Sequence, residues 1–126
     1  MKTELLSPGT LAFVGDGVYG LLVRTKLAEV NRPAGKLHQL SVKLVSAGAQ
    51  AKAVDVIEPL LTDSETEIFK RGRNAHVNGI PKSATAGEYH RATGLEVLFG
   101  FLYLDGQNER AQHLFNKIWE NFSGNI

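Results

Sequence analysis

Two carboxylates stand out, each placed inside an otherwise apolar helical pattern. Asp16 lies in Leu11-Ala-Phe-Val-Gly-Asp-Gly-Val-Tyr19, and Glu96 lies in Thr93-Gly-Leu-Glu-Val-Leu-Phe-Gly-Phe-Leu-Tyr103. An ionised carboxylate among apolar neighbours loses hydration, which is costly unless a proton, a cation or hydrogen bonds compensate. Two such segments in one small chain predict helices that pack together and share a cation. Oxygen ligands suit magnesium or manganese, ions that keep several waters and are completed by substrate phosphates. Such a site can activate a water and stabilise charge on a phosphodiester. Glycines flank both acids (Gly15 and Gly17; Gly94 and Gly100). Inside a helix glycine costs about 1 kcal/mol against alanine, so its repeated use predicts close backbone approach. The alternative is a capping or structurally paired role for either acid, and composition alone leaves both open.

A second feature is basic. Between Ile68 and Gly87 there is no acid, while Lys70, Arg71, Arg73 and Lys82 carry positive charge and His76 adds a titratable group. Gly72, Asn74 and Asn78 supply backbone freedom and amide donors, and arginine forks with amides on a loop suit phosphate and sugar contacts. Lys36 and His38, with Arg32 in the preceding loop, form another basic element. A solvated face, or Lys70 and Arg71 complementing a helix dipole, would explain such runs without function. The four histidines lack the paired spacing of a zinc site. His90-Arg91 lies about two turns before Glu96, within reach of the same mouth. Gly15-x-Gly17-x-x-Gly20 has dinucleotide-loop spacing but sits within an expected helix after no strand, so it is set aside.

These residues must be positioned by helices, because no convincing alternating strand is present. Apolar residues recur at helical spacing from Gly9 to about Val30, and Asn31-Arg-Pro-Ala-Gly35 breaks the chain. A second helix is expected from about Lys36 to Pro59. Thr62-Asp-Ser-Glu65 is a capping box opening a third, which ends near Arg71 to Ala75. Asn78-Gly-Ile-Pro81 is turn chemistry. Thr85-Ala-Gly-Glu88 opens a long helix ending near Asp105-Gly106, and Asn108 can cap a last one. Five helices with short connections predict one all-α domain across residues 1–126. A net charge of +1 confines any nucleic-acid footprint to a local patch. The chain shows no apolar run of transmembrane length and no signal peptide. It has no cysteine, which excludes disulfides and thiolate metal sites and is compatible with a cytoplasmic location.

The residues around both acids resemble those of the ribonuclease III superfamily. Leu11-Ala-Phe-Val-Gly-Asp-Gly-Val-Tyr-Gly20 is similar to its signature helix, and Leu95-Glu-Val-Leu-Phe-Gly-Phe-Leu-Tyr-Leu-Asp105 to its second signature. Arg71-Gly-Arg-Asn-Ala75, Pro81-Lys82 and Tyr89 resemble the Mini-III branch, a catalytic domain without an attached double-stranded-RNA-binding domain. The resemblance implies a homodimeric, magnesium-dependent endoribonuclease, with manganese as a substitute ion. Its substrate would be double-stranded RNA, in bacteria the large-subunit ribosomal RNA precursor stem, cut to a 5′-phosphate and a 3′-hydroxyl. Asp16 and Glu96 match the catalytic, metal-binding acids, and Arg71, Arg73, Asn74, Lys82 and Lys36 would hold the RNA backbone. Phe13, Tyr19, Phe99 and Tyr103 supply apolar surface for either core or dimer. Two superfamily acids are missing: Thr93 stands three residues before Glu96, and Gly9 seven before Asp16. Mini-III chains often carry an acid after the signature tyrosine, where this chain has Gly20. One metal per subunit, helped by Thr93 or by substrate, is the corresponding expectation. The alternative is a catalytically weak RNA-binding or ribosome-associated domain on the same fold.

Overall fold

The computed structural model describes residues 2–75 and 84–122. Six α-helices and no strand are found among the described residues: α1 (Pro8–Val30), α2 (Ala34–Val45), α3 (Ala47–Ile57), α4 (Asp63–Arg73), α5 (Ala86–Leu104) and α6 (Asn108–Phe122). Short 3-10 turns at Thr3–Leu5 and Glu58–Leu60 complete the set. Both capping boxes are made: Thr62 and Thr85 each accept from the backbone N–H three residues on, and Glu65 and Glu88 reach back to the cap N–H. Asn31 closes α1 in the left-handed conformation at φ 54°. Asn108 is the first residue of α6 rather than a residue ahead of it.

The expected second helix is two helices. Ser46 leaves the helical region (φ −62°, ψ 157°), and its hydroxyl accepts from Ala49 N–H to start α3. The apolar period runs through this break undisturbed, so the pattern does not reveal it. The resulting elbow between α2 and α3 borders the site described below.

α5 is the central helix and packs against α1, α3, α4 and α6. Leu95, Val97, Leu98, Phe99, Gly100 and Leu102 are all buried, as a helix enclosed on nearly every side requires. Tyr19 of α1 meets Phe99 and Phe115 edge-on at 5.4 and 5.5 Å, which fastens α1 to α5 and α6.

A partly buried ion pair ties α4 to α6. Arg110 Nε donates to Glu65 Oε2 at 2.8 Å and Nη2 to Oε1 at 2.9 Å, with a further bond to the Leu60 carbonyl at 2.8 Å. The Arg110 hydrogen bond is the leading reason that the Glu65 carboxyl titrates below its ordinary range. Its contribution is therefore present above the unfolded carboxylate pKa and lost as pH falls through the lowered value. Arg110→Ala leaves the Glu65 carboxylate with only its Thr62 hydrogen bond, so it is expected to destabilise the fold by roughly 1–3 kcal/mol at neutral pH. Urea unfolding should show that deficit shrinking as the pH is taken into the acid range.

Candidate active site

Asp16 sits midway along α1 and Glu96 midway along α5, and the two helices touch at those levels. A Cβ on Gly15 would fall 1.6 Å from the Glu96 carbonyl oxygen. One on Gly100 would fall 2.0 Å from the Leu11 carbonyl oxygen. The backbones are thus in contact through two glycines, one adjacent to Asp16 and one a turn beyond Glu96. Gly94 serves another junction, where its Cβ would meet the Phe69 ring at 2.6 Å. Gly17 and Gly20 face open space instead, so close approach explains only some of the glycines.

The crossing brings the carboxyl groups together. Burial, then the charge of Asp16, then a hydrogen bond between the two carboxyls push the Glu96 pKa up to about 7, and the Gln50 amide works against that rise. Asp16 is exposed and Glu96 half-buried. Two clefts meet at the pair. Glu96 lines one with Thr93, Gln50 and the Val45–Ser46 elbow, a cavity of about 230 Å³. Asp16 lines the other with Gly20, Arg24, Ser41 and Val45, about 450 Å³. Val45 belongs to both, which makes the α2–α3 elbow the floor between them.

The donor set fits a hard divalent cation. Two carboxylates of like charge converge, and no compensating lysine or arginine is paired with either among the described residues. Thr93 Oγ1 donates to the Tyr89 carbonyl at 2.9 Å, which leaves its oxygen lone pairs free on the cavity side. No cluster of three or more histidines or acids able to hold a metal occurs among the described residues. Magnesium or manganese held by Asp16 and Glu96, with water filling the remaining positions, matches this arrangement.

The basic residues separate into different roles. Arg71 is engaged by the chain itself, donating from Nη2 to the Leu6 carbonyl at 2.8 Å and from Nη1 to that of Glu4 at 3.3 Å. Arg73 lies over the Phe69 ring, 5.9 Å from its centroid, and donates to Asn74 Oδ1 at 3.1 Å. Lys36 is exposed near the start of α2. Lys82, with His76, Asn78 and the expected turn at Asn78–Pro81, lies outside the described residues. Arg91 pairs with Asp55 and, at 3.5 Å, with Glu58, so it is directed to α3 rather than to the acid pair. Sequence reasoning did not single out Arg24, Gln50 or the elbow. Gln50 carries a signal in hindsight, being a polar side chain within the apolar run Ala47, Ala51, Val54 of α3. Arg24 carries a weaker one, two turns after Asp16.

Comparison with known proteins agrees with this fold. A ribonuclease III domain matches residues 9–107. A Mini-ribonuclease 3 of a Thermoanaerobacter species is 47% identical over 110 residues, covering 86% of this chain and 78% of the relative. The Mini-ribonuclease 3 of Staphylococcus aureus is 40% identical over 118 residues, covering 91% of this chain and 88% of the relative. A crystal structure of a Fusobacterium nucleatum protein superposes with a TM-score of 0.85 at 27% identity, covering 97% of this chain and 96% of that one. The chain belongs to the Mini-ribonuclease 3 branch of the ribonuclease III family of RNA endonucleases.

Proposed function

We propose that the protein is a divalent-cation-dependent endonuclease of double-stranded RNA that acts as a homodimer and matures the large-subunit ribosomal RNA precursor stem. The observation that carries this reading is the convergence of Asp16 and Glu96 at the glycine-mediated crossing of α1 and α5. When bound there, magnesium supplies Lewis-acid polarisation of a phosphodiester oxygen and of an attacking water. Asp16, on the exposed side, faces the incoming backbone, while Glu96 anchors the site from within. Lys36, Arg73, Asn74 and Lys82, joined by Arg24, hold phosphates and 2′-hydroxyls, the features that an A-form duplex presents. Arg71 shapes the same region by fixing the N-terminal segment. Cleavage leaves a 5′-phosphate and a 3′-hydroxyl. Incubation of end-labelled double-stranded RNA with the protein in magnesium should yield discrete products. Binding without cleavage in both magnesium and manganese would instead identify a catalytically weak RNA-binding domain, the reading that Thr93 and Gly9 favour.

The dimer rests on exposed apolar surface. Phe13 is 82% exposed and Leu21 65%, two turns apart on α1 with Gly17 between them. Tyr103 is also half-exposed, whereas Tyr19 and Phe99 are core. In a two-fold interface each substitution removes two side chains. Phe13→Asp is expected to raise the dimer dissociation constant by at least about 100-fold, since burying one phenylalanine contributes about 1.5–3 kcal/mol. Light scattering across a dilution series reads this directly, and a monomeric parent would remove the dimer from the mechanism.

A further inference from the structure

Four polar or charged side chains are buried among the described residues, and of these Gln50 alone lines the Glu96 cavity. Its place follows from the α2–α3 break. When Ser46 leaves the helix, the Val45 carbonyl loses its helical partner, and Gln50 Nε2 donates to it at 3.0 Å. A carbonyl only accepts, so the nitrogen of this amide must face Val45, with its second N–H toward the Glu96 carboxyl, and the oxygen must lie on the other side. That oxygen, Oε1, is buried and has no hydrogen-bond partner.

A buried acceptor calls for a donor. The neighbouring groups do not supply one. With a cation bound both carboxylates are ionised and only accept, and the Thr93 hydroxyl hydrogen is committed to the Tyr89 carbonyl. Asp16 and Glu96 call for positive charge, while Gln50 Oε1 calls for a hydrogen. A hydrated divalent cation provides both, because its waters are polarised donors. We propose that Gln50 is a positioning residue whose Oε1 accepts from a water in the hydration shell of the cation held by Asp16 and Glu96. Its bond to Val45 fixes the amide for this role, so the elbow that breaks α2 from α3 also orients the site. This inference rests on the cation site of the proposed function.

Titration of the RNA-free protein with Mn²⁺, followed by the loss of the free-ion electron paramagnetic resonance signal, tests it without reference to activity. Gln50→Leu keeps the bulk of the side chain and removes the acceptor, and its Mn²⁺ affinity is expected to be about 10–100-fold below the parent's. Gln50→Glu keeps an acceptor and adds charge while giving up the bond to Val45, and because the added charge outweighs that lost bond it is expected to bind Mn²⁺ more tightly than the parent. A folded Gln50→Leu variant that binds within about twofold of the parent overturns the proposal. Should the leucine variant not fold, Gln50→Glu decides, and affinity equal to or below the parent's overturns it. A parent that binds no Mn²⁺ strikes the cation site itself and Gln50's role with it. A parent that binds, with Gln50→Leu unaffected, strikes Gln50 alone.

Discussion

Replacing Asp16 with asparagine should lower RNA cleavage on the order of 10³-fold, the scale of losing a group that stabilises transition-state charge, while the fold and RNA affinity survive. The side chain is exposed, forms no ion pair among the described residues and meets only the Glu96 carboxyl, a contact that an asparagine amide can keep, so its charge can be removed without loosening the helices. In the proposed function RNA is gripped by cations elsewhere, and that binding should weaken steeply with salt in parent and variant alike. Glu96→Gln should match it in activity. Single-turnover rates on a labelled duplex, beside a binding isotherm for the same RNA, separate the two effects. Cleavage by Asp16→Asn at the parent's rate would remove the pair from the chemistry.

The same variant carries a signature in stability. Glu96 has its pKa raised from 4.5 to about 7, with burial the largest cause and Asp16 the next. Between those values the folded chain holds a proton that the unfolded chain has released, so in the absence of divalent ions stability falls as pH rises. The whole fall is on the order of 3 kcal/mol. Asp16→Asn should flatten the part that comes from the neighbouring charge and leave the part that comes from burial. A divalent ion acts in the opposite sense by favouring both ionised carboxylates. Magnesium should therefore raise the melting temperature more at pH 8 than at pH 5, and cleavage at limiting magnesium should climb as pH rises toward 7.

Local chemistry made much of this legible in sequence. Thr62 and Thr85 form capping boxes with partners three residues away, so the start of α4 and of α5 can be read directly. Glu96 is legible because charge inside an apolar run is expensive and needs a reason, and the side chain is half-buried; Asp16 is singled out by the same rule but is exposed, and it is the α1–α5 crossing that brings it to Glu96. The break at Ser46 is not, because a serine within a continuous apolar period can either cap a helix or pass through one. Which aromatic faces the core is equally hidden: α1 is apolar nearly all round, so periodicity gives no phase to separate Tyr19 from Phe13. Arg71 shows the limit most plainly. Its type suggests phosphate, yet its partners are the carbonyls of Glu4 and Leu6, more than sixty positions away in the chain.

The largest stability effect should come from adding a single methyl group at the helix crossing. In Gly15→Ala the new Cβ would need to occupy a point 1.6 Å from the Glu96 carbonyl oxygen, 2.5 Å from its carbon and 2.9 Å from its Cα. These are backbone atoms of the central helix, so no side-chain rotation relieves the clash and α1 must move away from α5. That movement would open the Tyr19–Phe99 contact and the core around it. The cost should exceed about 4 kcal/mol, a large part of the 5–15 kcal/mol by which a domain of this kind is stable. Gly100→Ala should behave alike, its Cβ lying 2.0 Å from the Leu11 carbonyl oxygen. Gly87→Ala is the control: nothing lies within 4 Å of its Cβ, and the substitution should be neutral or stabilising by roughly 0.4–1 kcal/mol. Urea midpoints for the three variants give the comparison. Near-parental stability for Gly15→Ala would mean that the helices do not touch there. Any folded fraction of that variant should also lose divalent-ion stabilisation, because the displaced backbone belongs to Glu96 itself. A variant destabilised by less than expected yet blind to magnesium would show that the crossing, beyond holding the core, sets the distance between the two acids.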